Sequence, residues 1–246
     1  FARGLLEVMG TPPIEAGHGW VDPWAAIDAV SNGIPGHPYA RLTPGIIKES
    51  LSKVVSFLGK NNLSYVKSGE NNSELMTPLG TTKTSYYIPQ TMWEGVSALK
   101  EKRPGLVVGF DELKDFSAAR VARGLMGQWS GLRWRNISLK GMVKTSSLVS
   151  GDILARDMET AGNVKNLASL IRPHLKDAET VGLPAILGMK RPQEIIEKLS
   201  LELGATVFEI PTTPLSVPGL RLNEAFMQGL AEKGVKQFFP ERILSW

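Results

Sequence analysis

The sequence predicts an α/β chain of mixed α+β character, a three-layer αβα-like body carrying a small antiparallel β subsheet. Three observations point there. From Leu106 onward short apolar runs alternate with amphipathic stretches, the pattern of strands separated by helices. Between Leu63 and Ile88 the chain is instead rich in Thr and Tyr and broken by Gly and Asn, which favours short antiparallel strands. Between these regimes and the Gly- and Pro-rich lead-in from Phe1 to Gly36 stands one strongly periodic helix.

Taken in order, Asp22 caps a short helix from Pro23 to Val30. Thr43 as N-cap and Pro44 at the first helical position open the periodic helix. It carries Ile46, Ile47, Leu51, Val54, Val55 and Leu58 on one face, with Gly59 as its stop. Leu63–Lys67, Leu75–Leu79 and Lys83–Ile88 make an antiparallel pair or triplet. Leu106–Phe110 reads as a buried strand, Asp115 as the cap of a helix bearing Phe116, Ala119 and Leu125, and Asn136–Val143 as a strand. Helices fill Asp152–Lys176. Ala185–Leu187 is a short strand, Pro192 opens a helix closed by Gly204, and Val207–Ile210 is the next strand. A last helix spans Leu220–Lys233, followed by a terminal strand at Val235–Phe239. As domains this gives an irregular lead-in over 1–36, a body over 37–234, and a return strand within 235–246.

Composition removes several functions. The 246 residues are 42% hydrophobic and 21% charged, those of an ordinary globular chain, and no apolar run approaches the ~18 residues of a membrane helix. Direct membrane insertion is not expected, so a membrane enters only through a partner. With no cysteine there is no disulfide, no iron–sulfur ligation and no thiol nucleophile, and His18, His37 and His174 are too dispersed to suggest zinc. No metal site is expected. The net charge of +4 suits an anionic ligand, but the basic residues are interspersed with acids, without interleaved aromatics, and nucleic acid is not indicated. There is no G-x-G-x-x-G, no Walker lysine loop and no G-x-S-x-G elbow. The start at Phe1 rather than a methionine reads as a fragment, a processed product or an expressed piece.

Two loops are chemically dense. Pro211-Thr212-Thr213-Pro214-Leu215-Ser216 follows a strand and leads through Val217-Pro218-Gly219 to a lone Arg221. Helix-terminal N–H groups, hydroxyls and a guanidinium at such a strand end can meet an anion, and a rigid loop with Arg221 in an ion pair is the alternative. Thr77-Pro78-Leu79-Gly80-Thr81, with Lys83, Thr84 and Ser85 after it, offers hydroxyls and an ammonium at a turn, and equally a plain hairpin. The acidic group Asp111, Glu112 and Asp115 is read as helix capping rather than a metal or base site. His37, between Gly36 and Pro38, is either a base or phosphate ligand on a stiff loop or a surface histidine bonded to the backbone.

In combination these segments carry a resemblance. His37-Pro38-Tyr39, Thr77-Pro78-Leu79-Gly80-Thr81, Val107-Val108-Gly109-Phe110 with Leu113 and Asp115-Phe116, Leu183-Pro184-Ala185 with Gly188, and Pro211-Thr212, Pro214, Ser216-Val217, Gly219 and Arg221-Leu222 stand in this order. So arranged, the chain resembles the B subunit of the anaerobic glycerol-3-phosphate dehydrogenase, a flavoprotein family, over most of its length. The resemblance implies the central portion of such a protein: a substrate or cap domain at 37–234, with the dinucleotide-binding motif outside the chain. It implies oxidation of sn-glycerol 3-phosphate to dihydroxyacetone phosphate, with a flavin (FMN or FAD) not held by this portion alone. Electrons would pass to quinone through catalytic and membrane-anchoring partner subunits of a cytoplasmic complex peripheral to the inner membrane. Carried over residue by residue, it makes Arg221 the phosphate ligand, assisted by Lys83, Thr77, Thr81 and Ser216, His37 the base, and Gly4 and Gly80 cofactor-binding. The pattern is broken at Ala2-Arg3-Gly4, where hydroxyls expected near the flavin are absent. A flavoprotein acting on another hydroxy acid or polyol, or a noncatalytic scaffold, are the other readings.

Overall fold

A computed structural model describes residues 3–10, 20–142, 148–176 and 179–238. Its centre is a parallel sheet built from the second half of the chain. β5 (Gly105–Phe110), β6 (Leu132–Ile137), β7 (Thr180–Pro184) and β8 (Val207–Ile210) lie in the order β6-β5-β7-β8. β5, β7 and β8 are buried along their whole length, as strands covered on both faces must be. The connections are helical. α4 (Ala118–Leu125) joins β5 to β6, α5 (Gly151–Asp157) and α6 (Asn163–Ile171) lie between β6 and β7, and α7 (Pro192–Leu203) joins β7 to β8.

This strand order fixes the layers. The chain moves outward from β5 to β6, then crosses back over β5 to β7 and β8, so right-handed crossovers place α4 on one face and α6 and α7 on the other. α3 (Gln90–Glu101) shares the α4 face. A Cβ on Gly109 would stand 3.1 Å from Ala118 of α4, and one on Gly95 of α3 would stand 2.6 Å from the Phe208 ring. Register puts Val107, Gly182 and Phe208 side by side on that face. The largest core cluster fills both interfaces, with Trp129, Phe110 and Phe208 fully buried.

The first half of the chain forms a second packing unit beside the sheet. α1 (Pro23–Gly33) and α2 (Pro44–Lys60) are capped as expected, by Asp22 on the Trp24 and Ala25 N–H groups and by Thr43 on Ile46 N–H. The expected antiparallel pair or triplet takes the form of two separate antiparallel pairs: β1 (Tyr65–Val66) with β4 (Ile88–Pro89), and β2 (Ser73–Met76) with β3 (Thr82–Ser85). α8 (Val217–Glu232) returns from the sheet to pack against α2. Only Ile47 and Leu58 of the α2 stripe are fully buried, and Ile46 stays 50% exposed.

Several boundaries differ from the sequence reading. The cap of α4 is Ser117, whose hydroxyl accepts Arg120 N–H, rather than Asp115. β6 lies four residues earlier than Asn136–Val143, because Leu132–Ile137 is the stretch opposite Gly105–Phe110, and the arginines on its exposed edge hide the apolar pattern. Residues 143–147 fall outside the described residues. The strand expected at Ala185–Leu187 is Thr180–Pro184, and Ala185–Leu187 is the buried loop after it. Gly59 lies inside α2, which runs to Lys60, and α8 starts at Val217 because Ser216 caps it. Val235–Phe238 forms no strand: Gly234 takes φ +73° and Val235 N–H reaches back to Leu230 O, closing α8. Phe239, like His18 and Ala2, lies outside the described residues.

Candidate functional site

The carboxyl ends of the parallel strands converge where the chain reverses direction between β5 and β7, the usual ligand side of an open α/β sheet. On that same side, at the ends of β7 and β8, lies a buried ion pair. Phe208 turns toward α3, so by strand alternation Glu209 turns to the opposite face, beside Leu183. The Glu209 side chain is fully buried and that of Arg221 is 3% exposed. Arg221 Nη1 donates to Glu209 Oε2 at 2.6 Å and Nη2 to Oε1 at 2.8 Å, a bidentate fork, and Nε donates to Gly188 O at 2.8 Å. Glu209 Oε1 also accepts Leu187 N–H at 2.8 Å. Arg221 therefore ties α8 to β8 and to the β7–α7 loop. Three of its five N–H groups are spent and its charge is cancelled locally.

Around this pair lies a narrow cleft. Its walls come from the N-terminal ends of three helices: Gln90 and Thr91 of α3, Pro192 and Gln193 of α7, and Pro218 and Arg221 of α8, with Tyr65 of β1 beside them. The open volume is about 370 Å³ including the mouth. Gly4 packs behind Tyr65. The Tyr65 hydroxyl donates to Gly4 O at 2.6 Å, Gly4 has φ +74°, and a Cβ there would stand 2.7 Å from Pro218 Cβ. Burial pushes the Tyr65 phenol well above its ordinary range, only partly opposed by the Arg221 cation, so Tyr65 is neutral.

Three of the residues singled out from sequence thus come together: Arg221 on the cleft wall, Ser216 as the α8 cap accepting Gly219 N–H, and Gly4 behind Tyr65. The others are placed elsewhere. His37 caps a 3-10 turn (Pro38–Arg41), its Nδ1 accepting Tyr39 N–H at 3.2 Å. Lys83 pairs with Glu7. Thr77 and Thr81 share a hydroxyl–hydroxyl bond of 2.8 Å, and Gly80, at φ +77°, sets the turn against the α4 backbone at Arg120 O and Gly124. Glu112 is buried, accepting the Ser138 hydroxyl at 2.7 Å and Leu139 N–H at 2.9 Å. Burial raises its carboxyl, but these bonds win and hold it below the usual range. Sequence reasoning missed Glu209, Tyr65, Thr91 and Gln193. Glu209 had a signal, a carboxylate inside the apolar run Val207–Ile210, which demands a buried partner.

The family model described as FAD binding domain matches residues 1–238. The chain belongs to the FAD-binding domain family. Among curated relatives, the B subunit of a probable anaerobic glycerol-3-phosphate dehydrogenase from Halobacterium salinarum (strain ATCC 29341 / DSM 671 / R1) is 28% identical over 96% of this chain and 55% of its own length. The B subunit of the anaerobic glycerol-3-phosphate dehydrogenase of Pectobacterium atrosepticum is 29% identical over 95% of this chain and 56% of its own. That of Vibrio vulnificus (strain YJ016) is 25% identical over 100% and 57%. The chain therefore spans about half the length of these relatives. No solved structure matches it. The FAD-binding family uses a flavin dinucleotide, whose phosphates ordinarily sit on a glycine-rich turn between a strand and a helix. The turn from β5 to α4 carries Asp111, Glu112 and Asp115 and does not fit those phosphates, and the sequence holds no G-x-G-x-x-G. Among the described residues no helix is long and apolar enough to cross a membrane.

Proposed function

We propose that this chain is the substrate-side portion of the B subunit of a flavin-dependent glycerol-3-phosphate dehydrogenase. In that reading the parent protein oxidises sn-glycerol 3-phosphate to dihydroxyacetone phosphate, and electrons leave through partner subunits to quinone at the membrane. The observation that carries it is the similarity of nearly this whole chain to about half the length of these B subunits, together with the family match over 1–238. The flavin, FAD or FMN, is held mainly outside this chain, residues 37–234 supply the substrate side, and 1–36 and 235–246 lead to and from the flavin domain.

The substrate site of this reading is the cleft at Arg221. Gln90 and Thr91 open α3 and Pro192 and Gln193 open α7 on its walls, and neither helix has a side-chain cap bond of its own. Arg221, Ser216 and Gly4 belong to this neighbourhood, whereas His37, Lys83, Thr77, Thr81 and Gly80 have local structural partners. A noncatalytic scaffold that binds partner subunits through the helices within 152–176 would present an extended apolar patch there. Leu154, Leu167, Ala168 and Ile171 are buried instead, leaving Ile153 exposed by itself on α5.

The test is an anaerobic visible spectrum of the full-length parent before and after addition of sn-glycerol 3-phosphate. Bleaching of an oxidised-flavin band is the expected result. A flavin band that does not bleach removes this substrate, and a colourless protein removes the dehydrogenase reading.

A further inference from the structure

Two buried polar atoms on the cleft have no hydrogen-bond partner: Thr91 Oγ1 and Gln193 Oε1. Both residues sit at the second position of a helix, on α3 and α7, and both line the cleft beside Arg221. Thr91 is 6% exposed. The orientation of Gln193 is set by its own helix, since Nε2 donates to Glu197 Oε1 at 3.1 Å and so leaves the oxygen on the other side. Buried hydroxyls and amide oxygens are seldom left unpaired, because the desolvation cost is then uncompensated. Both residues line the cleft, so a group seated there is the partner within reach of a small side-chain movement.

What enters is restricted by the surroundings. Gln193 Oε1 accepts and cannot donate, so it requires a donor. Thr91 Oγ1 can do either, and Arg221 has two N–H groups beyond the three bonded to Glu209 and Gly188. A hydroxyl, which both donates and accepts, matches the polarity of all three. A carboxylate or phosphate oxygen would face the Gln193 oxygen with like polarity, and an ammonium would face the helix starts. The Arg221–Glu209 pair is neutral as a unit and favours neither charge. The space open to the centre of a water-sized group is about 20 Å³, enough for one oxygen-sized group with the remainder of its molecule in the open mouth.

We propose that this cleft is a hydroxyl subsite for a small neutral polyol or the polyol end of a larger molecule, with Thr91 and Gln193 as the residues that select it. The proposal deepens the substrate reading above and rests on it for the identity of the polyol. It places the alcohol end of a phosphorylated polyol inward and its phosphate at the mouth.

The test needs no flavin. The full chain is titrated with glycerol and, separately, with inorganic phosphate by ligand-observed NMR, as wild type and as Thr91→Val and Gln193→Met. Glycerol binds the wild type in the millimolar range and about tenfold more weakly to each variant, the equivalent of one lost hydrogen bond. Thr91→Val keeps or raises the unfolding midpoint, since it deletes a buried hydroxyl without a partner. Three outcomes overturn the proposal: no glycerol binding, which leaves a cleft for water only; Thr91-dependent binding of phosphate in place of glycerol; or a marked drop in the Thr91→Val midpoint, which gives that hydroxyl a structural partner. A chain that binds glycerol while the parent flavin does not bleach with sn-glycerol 3-phosphate upholds the subsite and removes only sn-glycerol 3-phosphate as the substrate.

Discussion

Replacing Arg221 by Met removes the cation from a pair that the fold keeps out of water. Glu209 would then be a carboxylate, 1% exposed, with only Leu187 N–H to hold it, and Gly188 O would lose its donor. Removing one member of a buried, hydrogen-bonded ion pair costs about 3–5 kcal/mol, because the remaining charge stays desolvated. For a chain of this size about 2–4 °C of melting temperature accompanies each kcal/mol, so Arg221→Met lowers the midpoint by between about 6 and 20 °C. The double variant Glu209→Gln/Arg221→Met has no buried charge, and its Gln can still accept Leu187 N–H. It recovers about 2 kcal/mol relative to the sum of the single variants, within the usual range for contacting residues. Urea denaturation of the four proteins closes the cycle. A loss under about 1 kcal/mol in Arg221→Met, or strict additivity, refutes the argument and returns Arg221 to the role of an exposed ligand whose loss changes substrate binding but not stability.

Gly80→Ala loses about 2–4 kcal/mol, combining a positive φ with a Cβ driven onto the α4 backbone, and Gly124→Ala loses less because alanine favours the helix it enters; thermal unfolding checks the order. Glu179 is held down by Arg133 at 2.7 Å and by Lys176 N–H against the upward push of burial. Its folded pKa lies below the unfolded value near ~4.3, so the unfolded chain binds more protons there, and the contribution is complete above that pH and lost as acid protonates the folded carboxylate. Glu179→Gln consequently loses stability at neutral pH and shows a shallower fall in urea midpoint as the pH drops below about 5, and an unchanged slope there would disprove the pairing. This chain by itself binds FAD or FMN no more tightly than micromolar, since the β5–α4 turn is acidic, and a sub-micromolar affinity in a fluorescence titration contradicts that.

Much of the architecture was legible because it rests on local chemistry. Asp22 and Thr43 at helix starts, Gly204 at a helix end and the apolar run Val207–Ile210 each state their role within a few residues. Where the boundaries slipped, the deciding interaction was distant. β6 is defined by pairing with β5, not by its own arginine-rich pattern, and Val235 is spent on closing α8. The site divides along the same line. Sequence pointed to Arg221 as a lone guanidinium after a strand and left open whether it meets a ligand or an ion pair. Only the tertiary structure gave it Glu209, twelve residues away across a strand-to-helix turn, and Gly188 from another crossover.

The sequence by itself determined the alternation of strands and helices, the absence of cysteine chemistry and of a dinucleotide-type glycine turn, and a resemblance spread over five short motifs. These are properties of residue identity and near-neighbour spacing. The tertiary structure decided which charges are cancelled and which polar atoms are left wanting. Thr91 and Gln193 lie about a hundred positions apart and share a cleft because α3 and α7 both begin there, on opposite faces of one sheet. Burial and pairing depend on which distant segments the sheet order brings together, and no local pattern in either helix records it.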